Sequence, residues 1–263
     1  MSTLTYAVSD SSVMLRRQLL HMRRYPVLTF MLLGVPVVLL LLFVYVFGGT
    51  LGNGLGGATG GRSAYANYVV PGILLMTLAS GAQGTAISVA MDMTEGIIAR
   101  FKTMAIFPPS VLTGHVLGSM IQTMLGLAAV TGVALLVGFR PTATPVEWVA
   151  AVGLLAIFAF ALTWLSVACG LVTKSVEAAS NLPMPLMLLP FLGSGFVPTD
   201  SMPYALRLFA EYQPFTPVVE TLRGLLLGTA IGHNAALATA WSVAITAACF
   251  LWAKALYNRD RTR

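Results

Sequence analysis

Six stretches of this chain run for about 20 residues or more with no Asp, Glu, Lys or Arg in their interior, at roughly 27–47, 66–91, 110–138, 148–173, 178–197 and 233–253. An α-helix of about 20 apolar residues crosses the hydrocarbon core of a bilayer. With no water there, a backbone can satisfy its own polar groups only as a helix or a closed barrel. The runs therefore predict an all-α integral membrane protein with six transmembrane helices. Only 9% of the residues are charged and the mean hydropathy is +0.84, whereas soluble domains carry roughly 25% charge. Too few polar side chains exist to coat a globule in water. The run at 178–197 is the least regular, since Pro183, Pro185, Pro190, Gly193 and Gly195 interrupt it. Carbonyls freed there need protein neighbours or a wet cavity.

Basic residues orient the spans. With the N-terminus inside, the inner segments hold Arg16, Arg17, Arg23, Arg24, Arg100, Lys102, Lys174, Lys254, Arg259, Arg261 and Arg263, and the outer ones only Arg62, Arg140, Arg207 and Arg223. That excess predicts cytosolic N- and C-termini. Before the first span, residues 8–25 put Leu15, Leu19 and Met22 on one helical face and Arg17 and Arg24 on the other. They read as an amphipathic helix lying in the interface with its arginines toward lipid phosphates. The first apolar run lacks an Ala-x-Ala exit site and is expected to stay as an anchor.

Two connectors carry local signals. In residues 92–109, Asp92 and Glu95 have capping-box spacing. Ile97, Phe101 and Met104 make one apolar stripe, with Glu95, Lys102 and Thr103 off it, and Pro108-Pro109 stops the helix. A short amphipathic helix on the cytosolic side and an ordinary solvated loop both fit. On the outer side, Gly48 to Gly61 reads as a flexible linker, while 198–232 predicts two short helices. Ser201 before Pro203 and Thr216-Pro217 mark their starts, Arg207/Glu211 and Glu220/Arg223 have pairing distances, and Gly228 is the stop. At about eleven residues each they are too short to cross, and would dip into the outer leaflet or lie along it.

Catalytic chemistry is hard to find. His21, His115 and His233 share no metal-ligand spacing, and a packed or hydrogen-bonded role suits His115 better than proton relay. Cys169 and Cys249 sit in apolar runs as small hydrophobes. No serine has the flanking glycines of a hydrolase elbow. Lys102, Lys174 and Lys254 follow Phe101, Thr173 and Ala253, so no phosphate-cradling loop exists. No basic and aromatic interleaving suggests nucleic acid. The spans offer neutral polar groups, among which Gln83, Gln122 and Asn181 are candidates for lining a path, although such groups also serve as interhelical glue. An ion-coupled transporter acting without an ATPase, using His115 and Asn181, is the alternative to a passage driven from outside the chain; a membrane enzyme without motifs is a third reading.

Two stretches resemble a known family. Asp92-x-x-x-Gly96-x-x-x-Arg100-Phe101-x-x-Met104-x-Ile106, followed by Val111-Leu112-x-Gly114, is similar to the cytosolic loop of type-2 ABC exporter permeases. Phe196-Val197-Pro198, Met202-Pro203 and Pro214-Phe215-Thr216-Pro217-Val218-Val219-Glu220-x-x-Arg223-Gly224-Leu225-Leu226-Leu227-Gly228 resembles their outer segment, most of all in the daunorubicin- and doxorubicin-resistance branch of actinobacteria. Ile97-Ile98 departs from the Phe-Leu often found in relatives. The resemblance implies one permease domain over 1–263 in the bacterial cell membrane, with the interfacial helix, six spans and two re-entrant helices. It also implies a homodimer, or a pair of related permeases, joined to two ATPase subunits that hold ATP and magnesium, with no cofactor in this chain. Asp92, Glu95, Ile97, Arg100, Phe101, Lys102 and Met104 would belong to a coupling helix that docks on the ATPase, with either face toward it. Phe196, Pro198, Pro217, Glu220 and Arg223 would form the outer gate. The cargo would be hydrophobic or amphiphilic, an antibiotic or a lipid.

Overall fold

The computed structural model describes residues 12, 13, 15–17, 20, 24, 26–50, 52, 61–96 and 109–259. Among them the regular elements are all helical: α1 (Pro26–Leu42), running on through a π turn at Phe43–Phe47, α2 (Arg62–Thr94), α3 (Pro109–Val137), α4 (Pro145–Val172), α5 (Val176–Asn181), α6 (Met184–Leu188), a 3₁₀ turn (Thr199–Ser201), α7 (Tyr204–Tyr212), α8 (Phe215–Leu227) and α9 (Asn234–Arg259).

Among the described residues, five helices are long and apolar enough to cross a membrane: Leu33–Thr50, Arg62–Thr94, Leu112–Val137, Pro145–Val172 and Asn234–Leu256. They match five of the six apolar runs. The sixth run, 178–197, is not one helix. It breaks into α5, α6 and a series of turns up to Phe196, because Pro183, Pro185 and Pro190 supply no N–H. Even so, it lies alongside α2 between the levels of Tyr68 and Gln83. The Gln83 amide donates to Ser180 O at 2.8 Å and the Tyr68 hydroxyl to Ser194 O at 3.1 Å. Those two levels of α2 are about 22 Å apart at 1.5 Å rise per residue.

α2 is the axis of the bundle. It has no polar face, and every residue from Val69 to Ser80 is buried, as expected of a helix that is apolar all round. α1, α3, α4, the broken segment and α8 all pack on it. Its 33 residues span about 50 Å, more than the roughly 30 Å of hydrocarbon. Around its Arg62 half lies the larger core, with Phe158, Phe215, Leu75 and Leu222 fully buried. A second cluster at its Asp92 end joins Val89 to Val116, Trp164, Val167 and Ala253. Cys169 and Cys249 are buried free thiols.

Local signals place the remaining ends. Thr144 and Glu147 close a reciprocal capping box at α4, with Pro145 in its first turn. Gly228, at φ +75°, ends α8 where a side chain would be strained. The Arg207–Glu211 and Arg223–Glu220 pairs form at 2.7 and 2.6 Å. The two short helices differ in depth. α7 leaves Tyr204, Leu208, Phe209 and Tyr212 exposed and buries only Ala210. α8 buries most of its surface against α2, α4 and α9.

Candidate functional site

Polar side chains gather at three levels of α2. At its far end, Asp92 lies in the last helical turn and does not cap a following helix, which corrects the capping-box reading. The helix continues to Thr94, and Glu95 is its C-cap, donating its N–H to Met91 O. Gly96, at φ +70°, then releases the chain. Asp92 is nearly buried and serves two elements. Its Oδ1 accepts from Arg17 Nη2 at 2.7 Å, and its Oδ2 accepts from Arg17 Nη1 at 2.8 Å and lies 3.0 Å from His115 Nε2 on α3. An ionised carboxylate only accepts, so Nε2 carries the proton in that contact. The bidentate fork is the strongest geometry an Arg–carboxylate pair adopts, and the hydrogen bond to Asp92 raises the Arg17 guanidinium above its ordinary value.

Arg17 was expected to face lipid phosphates; instead it turns inward, while its neighbour Arg16 is exposed. His115 has the hydrogen-bonded role expected of it, at 3% exposure. Of the other predicted coupling residues, Glu95 is exposed beside the cluster. Ile97, Arg100, Phe101, Lys102 and Met104 lie outside the described residues.

At mid-height the candidate path residues do not converge. Gln83 is spent on Ser180 O, binding the broken segment to α2. Asn181 is exposed at the end of α5. Gln122 instead lines a cavity of about 20 Å³ with Thr77, Ser80, Gly81, Thr123, Gly126 and Leu33, which is room for about one water molecule. Ser80 Oγ is buried there with no partner among the described residues.

The Arg62 end holds the most developed cluster. Arg223 of α8 is 7% exposed. Its Nη1 bonds Glu220 at 2.6 Å, its Nη2 donates to Ser194 O at 2.9 Å and Tyr68 O at 3.2 Å, and its guanidinium lies 4.0 Å from the centre of the Tyr68 ring. Gln213 Nε2 donates to Leu189 O at 2.8 Å. The hairpin of α7 and α8 thereby supplies donors to two carbonyls of the broken run. Gly72 and Gly195 meet backbone to backbone alongside, where a Cβ on Gly72 would lie 2.6 Å from Gly195 O.

Of the predicted gate residues, Glu220 and Arg223 are joined in this cluster and Pro217 is buried one turn before them. Phe196 is buried nearby, stacked on Phe191 at 4.3 Å and beside Phe43 at 4.8 Å. Pro198 stands apart at the 3₁₀ turn. Sequence reasoning missed Tyr68, Ser194 and Gln213. The only hint was the demand of the proline-broken run for outside donors. Among the described residues no group of His, Cys, Asp and Glu is placed to hold a metal ion.

Long apolar helices around a buried axial helix, with the ion pairs of the described residues at its two ends, define a multi-pass membrane protein. The chain belongs to the ABC-2 type transporter family, whose model matches residues 10–227. It is 27% identical over 226 residues to a daunorubicin resistance ABC transporter permease protein, DrrB1, of Streptomyces coeruleorubidus, covering 85% of this chain and 77% of that one. It is 23% identical over 226 residues to a protein of Mycobacterium tuberculosis described as a probable doxorubicin resistance ABC transporter permease, DrrC, covering 86% and 81%. The chain is thus a transmembrane subunit of an ABC transporter in the bacterial cell membrane.

Proposed function

We propose that this subunit forms the passage of an exporter for hydrophobic or amphiphilic compounds of the antibiotic kind, driven by a separately encoded ATPase. The observation that carries the reading is the family match across residues 10–227, which takes in both end clusters and the loop between α2 and α3. The lysine census agrees with it, since no lysine here follows a glycine as a phosphate-cradling loop requires. The names of the two relatives support a polycyclic aromatic drug as cargo.

In this reading the Asp92 end is cytosolic, residues 97–108 meet the ATPase, and the Arg62 end with α7 and α8 closes the outer exit. The broken segment then makes the sixth crossing, consistent with the depth it covers beside α2, and both termini are cytosolic. Two copies of the permease, or this chain and a paralogue, would pair with two ATPase subunits.

The test is reconstitution of the chain with the ATPase encoded beside it, in vesicles loaded for doxorubicin or daunorubicin fluorescence. ATP-dependent movement of drug is expected, with none from the chain alone. Drug moved by the chain alone on a proton or sodium gradient would establish the ion-coupled reading in its place. Sidedness is checked by cysteine labelling in cells: a thiol at Tyr204 should react with an impermeant reagent from outside, and one at Glu95 only after the cells are opened.

A further inference from the structure

Asp92 has two side-chain partners, both outside α2. Arg17 belongs to the N-terminal helical stretch, 75 residues earlier, and His115 to the second turn of α3, 23 residues later. All three meet at the last turn of α2, four residues before Gly96 ends it. One carboxylate therefore ties together the stretch before α1, the end of α2 and the start of α3, the two helices that the 97–108 loop connects.

The contact is built rather than incidental. The side chain of Asp92 is 10% exposed and that of His115 3%, so water does not compete well for the carboxylate. Arg17 approaches as a planar fork on both oxygens, which fixes orientation as well as distance. Oδ2 is shared between Arg17 and His115, so a displacement of either partner is felt by the other. The apolar cluster of Val89, Leu112, Val116 and Trp164 lies at the same end of α2. Glu95 is the other acid near Arg17, and it is exposed.

We propose that Asp92 is a positioning residue for force transmission: it locks the N-terminal interfacial helix, the end of α2 and the start of α3 into one body, so that a push on the intervening loop moves the interfacial helix as well. This rests on the reading of that loop as the ATPase contact. It differs from the sequence expectation in that Asp92 faces its own chain and Arg17 is withheld from the lipid headgroups. Without the lock, the loop would bend about Gly96 and the interfacial helix would stay behind.

The experiment uses the complex with its ATPase in lipid nanodiscs, with spin labels at Val13→Cys and Thr94→Cys, both exposed sites, in a Cys169→Ala, Cys249→Ala background. The distance between labels is measured without nucleotide and with ATP trapped. A single narrow distance, the same in both states, is expected. Asp92→Asn, and independently Arg17→Gln at the less buried partner, should broaden it and lower export roughly tenfold while the complex still hydrolyses ATP. A wild-type distance that changes between nucleotide states overturns the proposal, as does a distance that stays narrow in Arg17→Gln. If the ATPase does not co-purify with the wild-type chain, the coupling reading fails by itself; the label distance in the isolated permease still decides whether Asp92 holds the helix.

Discussion

Arg223 on α8 holds the carbonyl oxygen of Ser194 at 2.9 Å, an acceptor freed by the turns that follow Pro190. The same guanidinium is paired with Glu220 and stacked on Tyr68. A buried cation is costly in an apolar setting unless it is paired and hydrogen-bonded, and here its partners come from α8, α2 and the broken run. The short hairpin is thus a structural brace for a broken run that could not satisfy its own backbone.

Removing that brace should be expensive. Arg223→Ala takes from Ser194 O its charged donor, leaving only the Tyr68 hydroxyl, and leaves Glu220 without its cation, at a cost of about 2–4 kcal/mol. Arg223→Lys keeps the charge but loses the fork and should fall between the two. Thermal unfolding of the purified permease in nanodiscs checks the order wild type, Lys, Ala.

The Gly72–Gly195 crossing makes a steric prediction. A methyl group on Gly72 would need backbone to move, so Gly72→Ala should destabilise by about 1–3 kcal/mol. Gly153 on α4 has open space around its would-be Cβ, and Gly153→Ala should be neutral or stabilising by up to about 1 kcal/mol through helix propensity. Melting of the two variants side by side is the measurement.

The mid-height cavity can be probed by exchange of volume. A Cβ on Gly81 would lie 2.5 Å from Thr123 Oγ1. Gly81→Ala alone should lower the melting temperature, and adding Thr123→Ala should recover most of the loss by vacating the space. Additive losses in the double variant would show that the two helices do not meet there as described.

The proposed ATPase contact is tested by charge and polarity in residues 97–108. Phe101→Asp combined with Arg100→Glu should abolish co-purification of the ATPase while the permease still inserts and melts normally. Retained ATP-driven export in that variant would remove the docking role from this loop.

Much of the scaffold was legible from local pattern. The absence of charge from long runs marked the five crossing helices to within a few residues of their ends. Gly228 acted as a stop signal because caps are satisfied within one turn. The prolines at 183, 185 and 190 announced a broken run for the same reason, since each deletes a donor wherever it sits. Asp92 was misplaced because capping-box spacing is equally compatible with the final turn of a preceding helix. What settles it is that α2 is still making its own hydrogen bonds there.

The sequence by itself determined that this chain lives in lipid, that its crossings are helical, and where charge is tolerated, because a solvent without hydrogen bonds leaves few choices to a backbone. Only the tertiary structure decided which polar groups meet: Arg17 with Asp92, His115 with Asp92, and Arg223 with the carbonyl oxygens of Ser194 and Tyr68. Such pairs lie 23 to 155 residues apart, and a contact across that separation leaves no periodic trace in the chain; it exists only once the helices are packed.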